Sequence, residues 1–200
     1  DNPDTPDDPD PNPDDPTPAT GNEYVKVTTQ PSDWSGTYLI VYETDSVALN
    51  GALSEIDVVS NTIAVTITDN KIAATEQTTA AQIQIEPSGT GYALKTSTGK
   101  YIIGASKKIS LQSEAQAQTI TLSEDNAIIA VGDQQLMFNA TTGQKRFRYY
   151  GGTQKKVQLY KRTEGLTTGI EDKPDAVKVE KIIENNQVII IVNGRKYNVL

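Results

Sequence analysis

From Glu23 to Arg162 apolar and polar residues alternate in short runs: YVKVT from Tyr24, TYLIVY from Thr37, IAVTI from Ile63, QIQIE from Gln82, YALKT from Tyr92 and KYIIG from Lys100. KISL from Lys108, TITL from Thr119, AIIAV from Ala127, QLMF from Gln135, RFRYY from Arg146 and VQLY from Val157 continue the series. A period of two sends successive side chains to opposite faces of an extended chain, and the Gly, Asn, Asp, Ser and Thr clusters between runs are turn formers. The pattern therefore predicts an all-β domain. Only KIAATEQTTAAQ from Lys71 approaches a helical period, and its Thr-rich middle is a poor helix former, so no helix is expected there.

A repeat runs through these strands. Ile83/Ile85 in AQIQIEP recurs as Ile120/Leu122 in QTITLSE and as Val157/Leu159 in KKVQLYK, with 37 residues between successive copies. Equal steps predict three units, with Ile83, Ile120 and Val157 at equivalent inward positions. Between the second and third units, Tyr92/Leu94 matches Ile128/Ala130, Tyr101/Ile103 matches Leu136/Phe138, and Ile109/Leu111 matches Phe147/Tyr149. The first unit holds Tyr38/Ile40, a short strand around Leu49 and Ile63/Val65/Ile67, stretched by an insertion. Four strands in each of three units make about twelve short strands, which resembles the β-trefoil, a fold in which three such units close a barrel and cap it with hairpins. The resemblance covers about 140 residues. An irregular barrel or sandwich with meander connections is the alternative.

Composition divides the chain further. Residues 1 to 18, DNPDTPDDPDPNPDDPTP, hold seven Asp, seven Pro and no Lys or Arg, so the formal net charge of -8 belongs mostly to this stretch. With no apolar side chain to offset ordering entropy, and prolines that fix φ and remove amide donors, residues 1–20 are expected to be a disordered tether. In an extended polyproline conformation of roughly 3.1 Å per residue it reaches about 55 Å. The prolines between its acids keep a loop from converging several oxygens on one calcium ion. A chain that starts with Asp reads as a mature or trimmed product, and a tether implies a lipid-anchored N-terminus or an upstream domain at its far end. The all-β domain spans 21–163. Residues 164–200 follow as the linker EGLTTGIEDKPD and a tail, AVKVEKIIENNQVIIIVNGRKYNVL, in which Asn185-Asn186 and Asn193-Gly194 separate three strands of a meander.

Gly169-Ile170 followed by KIIENNQVIIIVNGRKYNVL resembles the short C-terminal tails of secreted and surface proteins of Bacteroidetes bacteria, similar to the sorting domains read by their type IX secretion system. DWSGTYLIVYE from Asp33 and RFRYY from Arg146 likewise resemble an accessory β-domain of large exported proteins of those bacteria, which sometimes follows a nuclease or hydrolase. The resemblance implies an exported protein, at the cell surface, attached to the outer membrane or secreted. No stretch of 18 apolar residues is present, so membrane association is expected only through an anchor outside this chain.

Chemistry is bounded mainly by what is missing. The chain has no His and no Cys, which excludes catalytic triads, Cys-His dyads, imidazole or thiolate metal sites and disulfides. No metal and no cofactor is expected. Beyond the tether 19 acidic residues face 18 basic ones, too even a balance for a nucleic-acid binder. A carboxylate pair is the remaining catalytic route, but Asp33, Glu43, Asp45, Glu55, Asp57 and Glu86 lie in turns or strand ends where water keeps them ionised, so a non-enzyme is expected. Charge within the β domain is uneven: residues 19 to 94 hold nine acids and two bases, residues 95 to 163 eleven bases and four acids. Arg146, Arg148, Lys155 and Lys156 are the expected basic part of a binding face, although outward Lys and Arg also simply blunt strand edges. Trp34, Tyr42, Tyr150 and Tyr160 are candidates for stacking on sugar faces, Tyr150 above all because Gly151-Gly152 follows it. The expected ligand-binding residues are thus Tyr150, Arg146, Arg148, Lys155, Lys156 and Trp34. The expected function is a non-catalytic surface binding or adhesion module directed at a polysaccharide or a surface protein; a structural spacer or protein-interaction domain without a small-molecule ligand is the alternative.

Overall fold

The structure, a computed structural model, describes residues 22–163 throughout and the backbone of 179–184, 187–192 and 195–198. The chain divides into two compact units between Gly165 and Leu166. The expected tether, linker and the turns at Asn185-Asn186 and Asn193-Gly194 lie outside the described residues.

The first unit is almost entirely antiparallel β-structure, as the alternation predicts. Its strands are β1 (Glu23–Lys26), β2 (Gly36–Tyr42), β3 (Val47–Leu49), β4 (Thr62–Ala64), β5 (Lys71–Ala73), β6 (Ile83–Ser88) and β7 (Gly91–Thr96). There follow β8 (Tyr101–Ala105), β9 (Lys108–Gln112), β10 (Thr119–Ser123), β11 (Asn126–Val131), β12 (Gln134–Asn139), β13 (Arg146–Tyr150) and β14 (Gln158–Arg162). A ten-stranded sheet runs β5-β1-β14-β2-β6-β7-β8-β9 with β3 and β4 branching from β2, and β10 to β13 form a four-stranded sheet. Single bridges, Tyr92 to Gln118 and Ala127 to Val157, connect the two.

Fourteen strands rather than twelve arise because β1 precedes the first unit and β5 forms within its stretched insertion, while β3 is the short strand expected around Leu49. That stretch also holds the one described α-helix, α1 (Glu76–Ala81), where no helix was expected. The reason is local. Thr75 accepts a hydrogen bond from the Thr78 amide while the Thr78 hydroxyl accepts one from the Thr75 amide, a reciprocal cap that offsets the weak propensity of the Thr-rich segment by about 1 kcal/mol.

Two apolar clusters share β2. Tyr38, Ile40 and Tyr42 face the larger one, with Ile83, Ile85, Leu94, Ile120, Ile129, Val157 and Leu159, whereas Leu39 and Val41 face a smaller one with Tyr24, Ile63, Ile72, Ala81 and Tyr160. The continuous run TYLIVY is therefore a strand buried on both faces. The smaller cluster gives the long insertion its purpose, since β4, β5 and α1 cover the outer face of β2.

Strand registers correct the expected equivalence of Ile83, Ile120 and Val157. Ile85 pairs with Leu94, Ile120 with Ile129, and Leu159 with Ile40. Ile83 pairs with Tyr38, Gln118 bridges Tyr92, and Val157 bridges Ala127. Ile120 thus corresponds to Ile85 and Leu159, and Gln118 corresponds to Ile83 and Val157. A slip of two leaves every side chain on its original face, so a constant spacing of apolar pairs does not reveal it. The polar substitute at position 118 is satisfied inside: Gln118 donates to the Ile102 carbonyl at 2.9 Å and accepts from the buried Tyr149 hydroxyl.

Tyr149 also explains Gly104. A Cβ at Gly104 would lie 2.5 Å from Cδ1 of the Tyr149 ring, which is held in the core and has no room to retreat. Gly104→Ala is expected to cost about 2 kcal/mol by overpacking, a fall in Tm of about 6 °C for a unit of this size. Thermal unfolding checks this, and an unchanged Tm would show that the ring yields.

In the second unit, β15 (Val179–Glu184), β16 (Gln187–Val192) and β17 (Arg195–Asn198) form an antiparallel sheet in that order, pairing Ile182 with Ile189 and Ile190 with Tyr197.

Candidate functional site

The end of β13 opens into a cavity of about 360 Å³ lined by Ser106, Lys107, Gln134, Tyr150, Gly151, Gly152, Thr153 and Gln154. Three elements build it. Alternation in RFRYY sends Phe147 and Tyr149 into the core and leaves Tyr150 half-buried at the strand end, beside Gln135 of β12. Ser106 and Lys107 form the two-residue turn between β8 and β9, with Lys107 in the left-handed region at φ 54°. Gly151 and Gly152 supply the floor. A Cβ on Gly151 would come within 2.8 Å of Gln134 Nε2, whereas nothing lies within 4 Å of one on Gly152, so the backbone there is open to a ligand.

One polar atom of Gln134, which lines this cavity, has no partner. Gln134 donates from Nε2 to Asp133 at 2.9 Å, which turns Oε1 the other way, buried and without a hydrogen bond. An acceptor in that state costs free energy until a donor reaches it. Lys107, Ser106 and Thr153 add polar groups around the rim. Burial pushes the Tyr150 hydroxyl above its ordinary range, opposed by the nearby Arg148 and Arg146 charges, so the ring carries a neutral phenol at pH 7.

Of the other residues expected to bind, the structure brings few to Tyr150. Lys155 and Lys156 are exposed on the segment leading to β14, where the Lys155 backbone exchanges hydrogen bonds of 2.8 and 3.0 Å with Phe138. Arg146 is 9% exposed and bonds to Gln144, and Arg148 forms an ion pair with Asp57. The expectation that both arginines stand free on an outward face is corrected. The loop before β4 lies along β13 and engages Arg148 through Asp57, whereas Arg146 turns back onto Gln144. The expected exposure of three aromatic rings is corrected as well: Trp34, Tyr42 and Tyr160 are 2%, 7% and 0% exposed, within the core clusters, so Trp34 has no face to offer a sugar. Trp34 packs beside Tyr38 with centroids 6.4 Å apart, and Tyr160 donates to Glu43 at 2.7 Å.

Charge asymmetry along the chain is partly cancelled by the fold. Lys145 reaches Asp45 at 2.7 Å and Arg148 reaches Asp57, so bases of the later strands meet acids of the first unit. What sequence reasoning missed are Gln134 and Lys107. Gln134 enters only through the β12–β13 pairing and Lys107 only through the position of the β8–β9 turn, and neither long-range placement leaves a mark in the local pattern. Among the described residues no group of three or more Asp or Glu is placed to hold a metal ion, and no helix is long and apolar enough to cross a membrane.

No protein-family model, curated protein or solved structure matches the chain.

Proposed function

We propose that this protein is a non-catalytic surface binding or adhesion module that takes a carbohydrate in the cavity beside Tyr150. The observation that carries the reading is the cavity in which a half-buried neutral phenol ring stands among the polar side chains of Ser106, Gln134, Thr153 and Gln154. A sugar ring offers both complements, a C–H face for the aromatic ring and hydroxyls for the polar side chains around it. A polar ligand also fits the rest of the surface. Among the described residues Val59, at 44%, is the one large hydrophobic residue that is exposed, which gives an apolar protein interface little to hold.

The fold that goes with this proposal is trefoil-like. It is supported by the order of pairings: β2 with β6, β6 with β7, β7 with Gln118 before β10, β10 with β11, β11 with Val157 before β14, and β14 with β2. The pairs β3–β4, β8–β9 and β12–β13 are the three hairpins such an arrangement requires. Export to the cell surface in a Bacteroidetes-type organism, tethering to the surface or to a neighbouring enzyme domain, and a sorting role for residues 164–200 belong to the same proposal, on the tail and motif resemblance.

Glycan-array screening of the full chain, followed by calorimetry on the best ligand, tests it. Tyr150→Ala is expected to lower affinity about tenfold at every salt concentration, because stacking is not screened. Lys107→Gln is expected to flatten the salt dependence, since exposed charges are screened beyond about 8 Å at physiological ionic strength. Arg146→Ala and Arg148→Ala should leave the salt dependence unchanged, their guanidinium groups being engaged elsewhere. Absence of binding to any neutral or acidic glycan at millimolar concentration overturns the proposal in favour of a structural spacer.

A further inference from the structure

β9 is the last strand of the ten-stranded sheet and pairs with β8 on one side only. The two-residue turn Ser106-Lys107 makes Ala105 and Lys108 a hydrogen-bonded pair, and the two kinds of antiparallel pair alternate from there. Ile109 and Leu111, opposite Gly104 and Ile102, therefore turn their amides and carbonyls away from β8. The outward groups of β8 show the same parity. Gln116 accepts from the Gly104 amide at 2.7 Å and donates to the Gly104 carbonyl at 3.3 Å, and Gln118 donates to the Ile102 carbonyl at 2.9 Å. The free edge of β13 is occupied in the same way, by Asn61 on both backbone groups of Phe147. β9 has no such substitute: among the described residues nothing bonds to the outward amide or carbonyl of Ile109 or Leu111.

Both residues line a cavity of about 320 Å³, walled by Lys108 to Leu111 on one side and by Ser54 to Asp57 of the β3–β4 loop on the other. Its free charges are two and opposite. Lys108 and Glu55 are exposed, one on each wall, and among the described residues neither forms an ion pair, whereas Asp57 is taken by Arg148. Ile56 and Ile109 are buried in the larger apolar cluster, so the cavity presents chiefly backbone and charge.

We propose that the edge of β9 is a docking site for an extended peptide of a partner protein, which lies as an added strand between Lys108 and Glu55 and carries one acidic and one basic side chain. The outward groups of Ile109 and Leu111 supply two donors and two acceptors, repeating every second residue at about 7 Å, the period of an extended chain. In strand addition backbone bonds contribute affinity and side chains select the partner. Lys108 performs the selection, since a lysine on an edge opposes unselective pairing and favours a strand with an acid to offer it. The site uses no apolar patch. It is separate from the Tyr150 cavity and does not depend on the proposal made for it.

The test is a titration of the isotopically labelled full chain with a capped eight-residue peptide that alternates valine and threonine and carries one glutamate and one lysine. Amide shifts and hydrogen exchange are the readouts. Saturable shifts are expected at residues 54–57 and 108–111, with exchange of the Ile109 and Leu111 amides slowed at least about tenfold. Methylating alternate amide nitrogens of the peptide should weaken binding at least about tenfold in one frame and leave it within about threefold in the other, because only one frame faces β9. Leu111→Pro removes one outward donor without touching the bonds to β8, as an edge position allows, and should weaken the peptide about tenfold. Lys108→Glu makes both walls acidic and should shift the preference about threefold toward a peptide with two lysines. Thermal unfolding of both variants guards against a folding defect, and the methylated peptides test the pairing on the parent chain. The inference is overturned if the peptide does not bind at millimolar concentration, if both methylation frames act alike, if exchange at Ile109 and Leu111 is unchanged at saturation, or if the shifts fall on Tyr150 and Gly152. Shifts of Ile109 and Leu111 that follow protein concentration without peptide would also overturn it, giving the edge to a second copy of the chain.

Discussion

Replacing Phe138 with alanine is expected to remove about 4 kcal/mol of stability, a large share of the 5 to 15 kcal/mol typical of a folded domain. Phe138 stacks on Tyr42 with centroids 4.7 Å apart and an interplanar angle of 22°, and tilts against Phe147 at 4.9 Å and 59°. The three rings come from β2, β12 and β13, so the contact ties the first part of the chain to the last. Register makes it tight. Phe138 faces Phe147 across β12–β13, but its amide and carbonyl bond to Lys155 instead, which marks a pair not hydrogen-bonded to each other, the closer of the two antiparallel spacings. Alanine would leave a cavity between two aromatic faces that cannot collapse without shifting both strands. Urea unfolding should show a lower midpoint at an unchanged slope, and Phe138→Leu should recover more than half of the loss. A change below about 1 kcal/mol would show that the ring stack contributes little beyond ordinary burial.

The β class was legible because it rests on one local quantity, the alternation of apolar residues, and strands such as QIQIE and TITL lie where their pattern puts them. Pairing was less so. A two-residue slip preserves facing, and the turn before β10 absorbs it at Gln118, whose amide was free to replace an apolar neighbour only because Tyr149 and the Ile102 carbonyl satisfy it. Alternation likewise assigned Arg146 and Arg148 to the face opposite Phe147, which is where they are. It did not show that the loop between β3 and β4 covers that face, bringing Asp57 to Arg148. Trp34 was misread for a different reason: an aromatic ring at a strand entry is equally suited to core and surface, and its burial depends on Tyr38 beside it. Tyr150 was legible because both signals were local, an outward position in RFRYY and a Gly-Gly pair directly after it. Its cavity partners come from two other hairpins.

The same covering loop is the source of the second large effect, expected for Asn61→Ala. Asn61 is fully buried; its Nδ2 donates to the Ile56 carbonyl at 2.8 Å and to the Phe147 carbonyl at 2.9 Å, and its Oδ1 accepts from the Phe147 amide at 2.8 Å. The side chain thus behaves as an extra strand residue against the free edge of β13, with the Ser60 amide bonding to the Lys145 carbonyl at 2.7 Å just before it. Alanine strands a buried amide and two carbonyls at once, for which about 3 kcal/mol is expected, since each orphaned group costs about 1–3 kcal/mol and water admitted to the gap returns part of it. Asn61→Asp separates hydrogen bonding from shape. Its carboxylate would still accept from the Phe147 amide but would face two carbonyl oxygens, so its folded pKa should rise above the unfolded value of about 3.9. A raised carboxyl pKa means that the variant is at its best below the unfolded value, where the protonated group donates once more, and loses stability as pH rises through about 4 and upward. Denaturant midpoints for the parent and both variants between pH 3 and pH 8 check this: the deficit of Asn61→Asp should grow with pH while that of Asn61→Ala stays level. A pH-independent deficit for Asn61→Asp would mean that water reaches the site and that the loop is held to β13 by the Arg148–Asp57 and Lys145–Asp45 pairs instead.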